Sequence, residues 1–239
     1  MSAVDFKFAI KMKKTFRMAV IGMVGFCLAL ALAWTGAAAE IENPVTPTQR
    51  IDLFNGKDLI GWKLFLPKGE DVTKTWSVEN GIIKNTGKPT GYMRTEQDYR
   101  DYKLTVEWRF VKVAPKADNT GVLVHMSGPD KLWPPNIQCQ GQHDKQGDLF
   151  LMGGAESKEH QGMTVNTPVP KRGPSNENPV GGWNTCEMVC AGDSVKASIN
   201  GKLMNETTGC SISSGRIGIQ SEGGEIEIRK IFIEPLKAN

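Results

Sequence analysis

Hydrophobic and polar residues alternate along much of this chain, in short bursts. The clearest is YKLTVEWRF, residues 102–110. Tyr102, Leu104, Val106, Trp108 and Phe110 form one row, and Lys103, Thr105, Glu107 and Arg109 form the other. Successive side chains of a strand point to opposite faces, so a period of two predicts a strand with one buried side. Comparable runs at 76–78, 81–84, 121–126, 136–142, 149–152, 183–191, 194–199, 202–205, 215–221 and 225–234 are broken by Gly, Pro and Asn. No amphipathic segment of helical period reaches three clean turns. Many short strands with turn signals between them predict an all-β sandwich or barrel.

The turns sharpen this picture. Ala191-Gly192-Asp193 joins two runs as a hairpin, and Asn200-Gly201 is a strong two-residue type I′ signal. Glu222-Gly223-Gly224 is expected to link the last two strands in the same manner. Residues 164–182 are rich in Pro, Asn, Gly and charge, which predicts a long exposed loop of the kind that forms lids or moves. Alternation also sorts side chains. In NIQCQGQHD, Gln138, Gln140 and Gln142 recur at every second position, which puts three amides on one side. His125 shares a row with Gly121 and Leu123, and Gln220 shares one with Glu222. One sheet could thus display Glu107, His125, the glutamines, Gln220 and Glu222 on its non-core face, although a merely solvated polar face has the same pattern.

Composition changes the reading of the N-terminus. Lys11, Lys13, Lys14 and Arg17 precede an almost wholly apolar run at 18–34, and Ala37-Ala38-Ala39 offers a cleavage site before Glu40. Residues 1–39 therefore read as an export signal rather than a retained anchor, residues 40–49 as a linker and residues 50–239 as one domain. The expected product is periplasmic or secreted, with no stable membrane anchor after cleavage. The chain has 29 basic and 26 acidic residues, and removing the signal's five basic and one acidic side chains leaves 24 and 25. The basic balance belongs to the signal, so nucleic acid is not an expected partner.

Four cysteines remain after cleavage: Cys139, Cys186, Cys190 and Cys210. Cys186 and Cys190 stand about 13 Å apart along one strand and cannot join. Cys190 to Cys210 would close a hairpin, and four buried thiols are the alternative. The spacing does not suit zinc.

IDLFNGKDLIGWK, YRDYKLTVEWRF, NTGVLVH and GRIGIQSEGGEIEIRKIFIEPL, taken in order, resemble one exported bacterial family, DUF1080 or 3-keto-disaccharide hydrolase. WNTCEMVCAGDSVKASINGK fits its W-N…G…N-G region, and the similarity runs from about Arg50 to Leu236. The resemblance implies a concanavalin A-like jelly roll of two antiparallel sheets and cleavage of 3-keto-glycosides. One departure stands out. Where many members have histidine in a terminal L-Q-x-H-G, this chain has Gln220-Ser221-Glu222-Gly223.

In such a sugar the C3 ketone acidifies the C2 proton. A base can then drive elimination of the group on C1, and water adds back. That chemistry needs a base, an enolate stabiliser and groups that hold neutral hydroxyls. His125, Glu107 and Glu222 are the expected catalytic candidates. Gln138, Gln140, Gln220 and Trp133 are expected to bind the carbohydrate, the amides by hydrogen bonds and the indole by stacking. A non-catalytic lectin-like module would use the same amides, and an ordinary glycoside hydrolase would need two carboxylates across the cleft, for which Glu107 and Glu222 are candidates. No organic cofactor fingerprint is present. A divalent cation is the one metal candidate, through His143, Asp144 and Asp148, with a polar turn as the competing reading.

Overall fold

The computed structural model describes residues 43–112 and 119–237; the expected export signal and its cleavage site lie outside the described residues. Among the described residues the strands run in the order β1 (Ile51–Asp52), β2 (Trp62–Phe65), β3 (Trp76–Glu79), β4 (Ile82–Asn85), β5 (Gly91–Thr95), β6 (Tyr102–Phe110) and β7 (Gly121–Met126). They continue with β8 (Asn136–Gln140), β9 (Leu149–Met152), β10 (Asn184–Ala191), β11 (Ser194–Ile199), β12 (Lys202–Thr207), β13 (Arg216–Ser221) and β14 (Ile226–Pro235). No helix among the described residues is long and apolar enough to cross a membrane.

These strands form two antiparallel sheets. One has eight strands in the order β12-β11-β10-β6-β14-β4-β3, with β1 also on β14; the other has six in the order β2-β5-β13-β7-β8-β9. The alternation of β6 explains why they stack. Leu104, Val106, Trp108 and Phe110 project from the larger sheet toward Val122, Ile137, Ile217 and Ile219 of the smaller one, and all are buried. Each such side chain contributes about 1.5–3 kcal/mol through removal from water. The result is a two-layer, all-β sandwich, one of the two architectures that the alternation predicts and the one that the family resemblance implies.

The Asn200-Gly201 turn has the expected left-handed pair, φ 50° and 79°. Glu222-Gly223-Gly224 does not close a hairpin. β13 belongs to the six-stranded sheet and β14 to the eight-stranded one, so this link crosses between layers. Glycine is required there because a Cβ on Gly224 would stand 2.4 Å from the Phe110 ring. Strand β5 has no clear alternation because all five residues are buried. Val45, in the expected linker, is held by backbone hydrogen bonds to Asp98 and Arg100 at 2.8 and 3.0 Å. Cys139, Cys186, Cys190 and Cys210 are free and buried, so the Cys190–Cys210 bridge is not formed.

Candidate functional site

The outer face of the six-stranded sheet holds a hollow of about 300 Å³. Gln138 and Gln140 of β8 and Gln220 of β13 enter it because they share the strand parity that faces away from the core. Glu222 follows two residues after Gln220, at the rim where the chain leaves this sheet, and Asn119 lies beside it. Phe150 and Met152 of the neighbouring edge strand β9 supply an apolar wall, with Trp133 and Asn166 contributed by loops. Five of the sequence-predicted residues therefore meet around one hollow: Gln138, Gln140, Gln220, Glu222 and Trp133.

Hydrogen bonds fix the direction in which the amides point. The backbone N–H groups of Gly141 and Gln142 donate to Gln140 Oε1 at 2.9 and 3.2 Å. The Gln140 oxygen is thus turned toward the main chain, and its Nε2 has no acceptor among the described residues. Gln138 Nε2 donates to the same oxygen at 3.4 Å and to Gln220 Oε1 at 3.2 Å. Gln220 Nε2 then donates to Glu222 Oε2 at 2.6 Å, and Asn119 Nδ2 donates to that oxygen at 2.8 Å. Gln140 Oε1 thus collects donors from both sides, while the bonds from Gln138 through Gln220 to Glu222 run one way, toward the carboxylate, and suit an ionised Glu222 Oε2. Glu222 Oε1 accepts from no described residue. Burial pushes the Glu222 carboxyl above its ordinary pKa, and no cation among the described lining residues opposes that rise.

Two further features hold the arrangement. Gln138 lies across Gly121, where a Cβ would stand 2.5 Å from its Nε2, so glycine leaves the amide room to reach Gln220. Trp133 sits on a loop anchored by Asp130, which accepts from Arg94 Nε and an Arg94 terminal nitrogen at 2.7 Å each and from the Tyr92 hydroxyl at 3.0 Å. The Arg94 guanidinium holds the Asp130 carboxyl below its usual pKa. A bidentate pair of this kind orients the loop as well as attaching it.

The structure corrects two placements. Glu107 lies on β6 of the opposite sheet, on its outer face, where it pairs with Arg229 at 2.6 Å and Lys230 at 3.2 Å. His125 is on the expected strand but not on its polar face. It adopts φ 55° at an irregularity in the β7–β13 register, and this left-handed residue inverts the alternation. The ring turns into the core, edge-on to Tyr102 at 5.9 Å, fully buried, with Nε2 unpartnered among the described residues. Burial depresses its pKa to about 4, so it is neutral at pH 7.

The expected cation group also divides. Asp148 accepts from the backbone of Lys171 at 2.8 Å, while Glu177 joins His143 and Asp144 with ligand atoms within 4.8 Å of one another. The Glu177 oxygens already take donors from His143, Asp144, Gln146 and Ser175, at 2.6–3.0 Å. That is the geometry of a loop clamp. Asn119, Phe150, Met152 and Asn166 were not expected at the site. The alternation in LFLM puts Phe150 and Met152 on one face, but local pattern has no means of bringing that face beside the glutamines.

The two-layer fold is shared with several solved structures. A candidate glycosyl hydrolase from Parabacteroides distasonis is 23% identical over 79% of this chain and 94% of its own, with a TM-score of 0.58. The carbohydrate binding module CBM66 from Bacillus subtilis is 10% identical, covering 73% of this chain and 95% of its own, with a TM-score of 0.53. A Bacillus licheniformis β-glucanase is 13% identical over 78% and 97%, with a TM-score of 0.50, which makes the concanavalin-like architecture explicit. No curated protein matches the chain. Residues 49–234 match the 3-keto-alpha-glucoside-1,2-lyase-like domain, and the chain belongs to that family.

Proposed function

We propose that this protein is an exported enzyme that cleaves 3-keto-glycosides, with Glu222 carrying the C2 proton. The observation that supports this most directly is a single carboxyl set among amides. Among the described residues lining the hollow, Glu222 is the one ionisable group, held by Gln220 and Asn119 on one oxygen with the other left open. A paired-carboxylate glycosidase needs a second acid about 5–9 Å away across the cleft. Glu107, the expected partner, occupies the outer face of the other sheet.

The residues divide the work as follows. Glu222 Oε1 takes the C2 proton, and its raised pKa makes it a stronger base than a solvated glutamate. The Gln140 Nε2 hydrogens, uncommitted among the described residues, stabilise the enolate oxygen. Electrons from the C2–H bond form the C1–C2 double bond while the C1–O bond breaks, and the proton now on Glu222 is available to the leaving oxygen. Water then adds at C1 and a proton returns to C2, giving net hydrolysis. Gln138 and Gln220 orient this pair and bind neutral hydroxyls, and Trp133 stacks on the ligand. The basic segment, apolar run and Ala37-Ala38-Ala39 support a periplasmic or secreted location.

A lectin-like module is the second reading, favoured by the amide row and Trp133 alone. Its amides would bind sugar without needing a carboxyl of raised pKa. The test is to incubate the mature protein with 3-keto-glucosides and the parent glucosides in deuterated water. Aglycone release from the keto form alone, with deuterium at C2, is expected, and Glu222→Gln should lower turnover by about 10²–10⁴-fold. Sugar binding with no turnover of either form would replace this reading by the lectin-like one. Release from the parent glucoside without C2 exchange would point instead to direct displacement.

A further inference from the structure

We infer that the preferred substrate has a phenolic leaving group, seated on an apolar subsite made by Trp133, Phe150 and Met152. The inference rests on the keto-glycoside reading and extends it to the other end of the same hollow. The lining is sorted by strand. β8 and the end of β13 bring the amides and Glu222, whereas edge strand β9 brings Phe150 and Met152. Register places Phe150 opposite Gln138 and Met152 opposite Asn136. The apolar wall therefore lies one strand spacing, about 5 Å, from the polar centre. That is the scale of one glycosidic linkage.

The apolar end suits a flat ring better than a second sugar. Phe150 can neither donate nor accept a hydrogen bond, and the Met152 sulfur is at most a weak acceptor. A pyranose there would bring several hydroxyls to surfaces that cannot match them. An aromatic ring would instead meet an indole, a phenyl ring and a polarisable thioether, all favourable contacts. At about 300 Å³ the hollow is at the small end of ligand sites, with room for a sugar and one ring rather than an oligosaccharide.

Leaving-group chemistry agrees with the shape. With one carboxyl at hand, Glu222 must both remove the C2 proton and serve the leaving oxygen. A phenol, with a pKa near 10, departs as phenolate without a separate acid. A sugar alkoxide, closer in basicity to hydroxide, requires protonation as it leaves. In the phenolic case the C1–O electrons stay on the departing oxygen; when water adds at C1 the phenolate takes the proton that water releases, and Glu222, its proton exchanged with solvent, delivers one to C2.

The test compares phenyl 3-keto-glucoside with a 3-keto-disaccharide, both anomers of each, for the mature protein and its Trp133→Ala variant. Met152→Gln serves as a second variant should the first misfold. Unoxidised phenyl glucoside is titrated by calorimetry in parallel. The phenyl substrate is expected to exceed the disaccharide at least tenfold in kcat/KM, and Trp133→Ala should raise its KM about tenfold, several times more than it raises that of the disaccharide. Equal cleavage of both, or an equal effect of the variants on both, overturns the aglycone assignment and leaves the keto-sugar reading standing. Cleavage of neither overturns the keto-sugar reading. The subsite is then judged by the titration alone: Trp133-dependent binding of phenyl glucoside supports it, and no binding overturns it.

Discussion

Gly121 and Gln138 should behave as a coupled pair, because the amide occupies the space a side chain at 121 would need. In Gly121→Ala the new Cβ would stand 2.5 Å from Gln138 Nε2 and 2.8 Å from Cγ and Cδ. Gln138 is 3% exposed, so it cannot simply swing into water. It must give up its bonds to Gln220 at 3.2 Å and Gln140 at 3.4 Å. Leaving buried amide groups unpaired costs about 1–3 kcal/mol. Against this, alanine in a strand is favoured over glycine by roughly 0.5–1 kcal/mol. The single variant should therefore lose about 0–2.5 kcal/mol, read as a Tm fall of about 2–4 °C per kcal/mol for a domain of this size. In a Gln138→Ala background the clash is absent and the sign should reverse, with Gly121→Ala neutral or stabilising by up to about 1 kcal/mol. Thermal and urea unfolding of the four proteins closes the cycle. Additive effects, or destabilisation by Gly121→Ala in both backgrounds, would refute the account of Gln138 as held in place by a missing Cβ.

Glu222 has a folded pKa raised by burial, so the folded protein binds more protons than the unfolded chain above the ordinary carboxylate range. Stability should then fall as pH rises through that range, and Glu222→Gln should remove the fall while abolishing most turnover, seen in paired melting and rate profiles. The wild-type kcat/KM should rise with pH, with its inflection above 4.5. His125 is the opposite case. With a pKa depressed to about 4 it should withdraw about 3 kcal/mol of stability as pH falls from about 6.5 to 4, and His125→Gln should flatten that acid limb without altering kcat/KM at pH 7. Glu107→Gln removes a largely surface ion pair, so changes of at most about 1 kcal/mol in stability and none in turnover are expected in the same assays. Mass spectrometry of the exported protein should find Glu40 as the first residue.

Much of this molecule could be read from local pattern because side-chain direction in a strand is a local property. Two residues per repeat sufficed to place Leu104, Val106, Trp108 and Phe110 inward, to put Gln138 and Gln140 on one side, and to align Gln220 with Glu222. Asn200-Gly201 announced its hairpin because few other residues adopt two successive left-handed conformations. Parity does not say which sheet a strand joins, or what stands across from it. Glu107 has the right parity in the wrong layer, since β6 pairs with β10 and β14 rather than with β7. His125 lost its parity to one left-handed residue whose strain only the β7–β13 pairing sustains. The meeting of Phe150 with Gln138, and of Asn119 with Glu222 a hundred residues later, likewise depends on long-range strand pairing. Those pairings are selected by the burial of two whole faces against each other, a collective quantity that no short window of sequence contains.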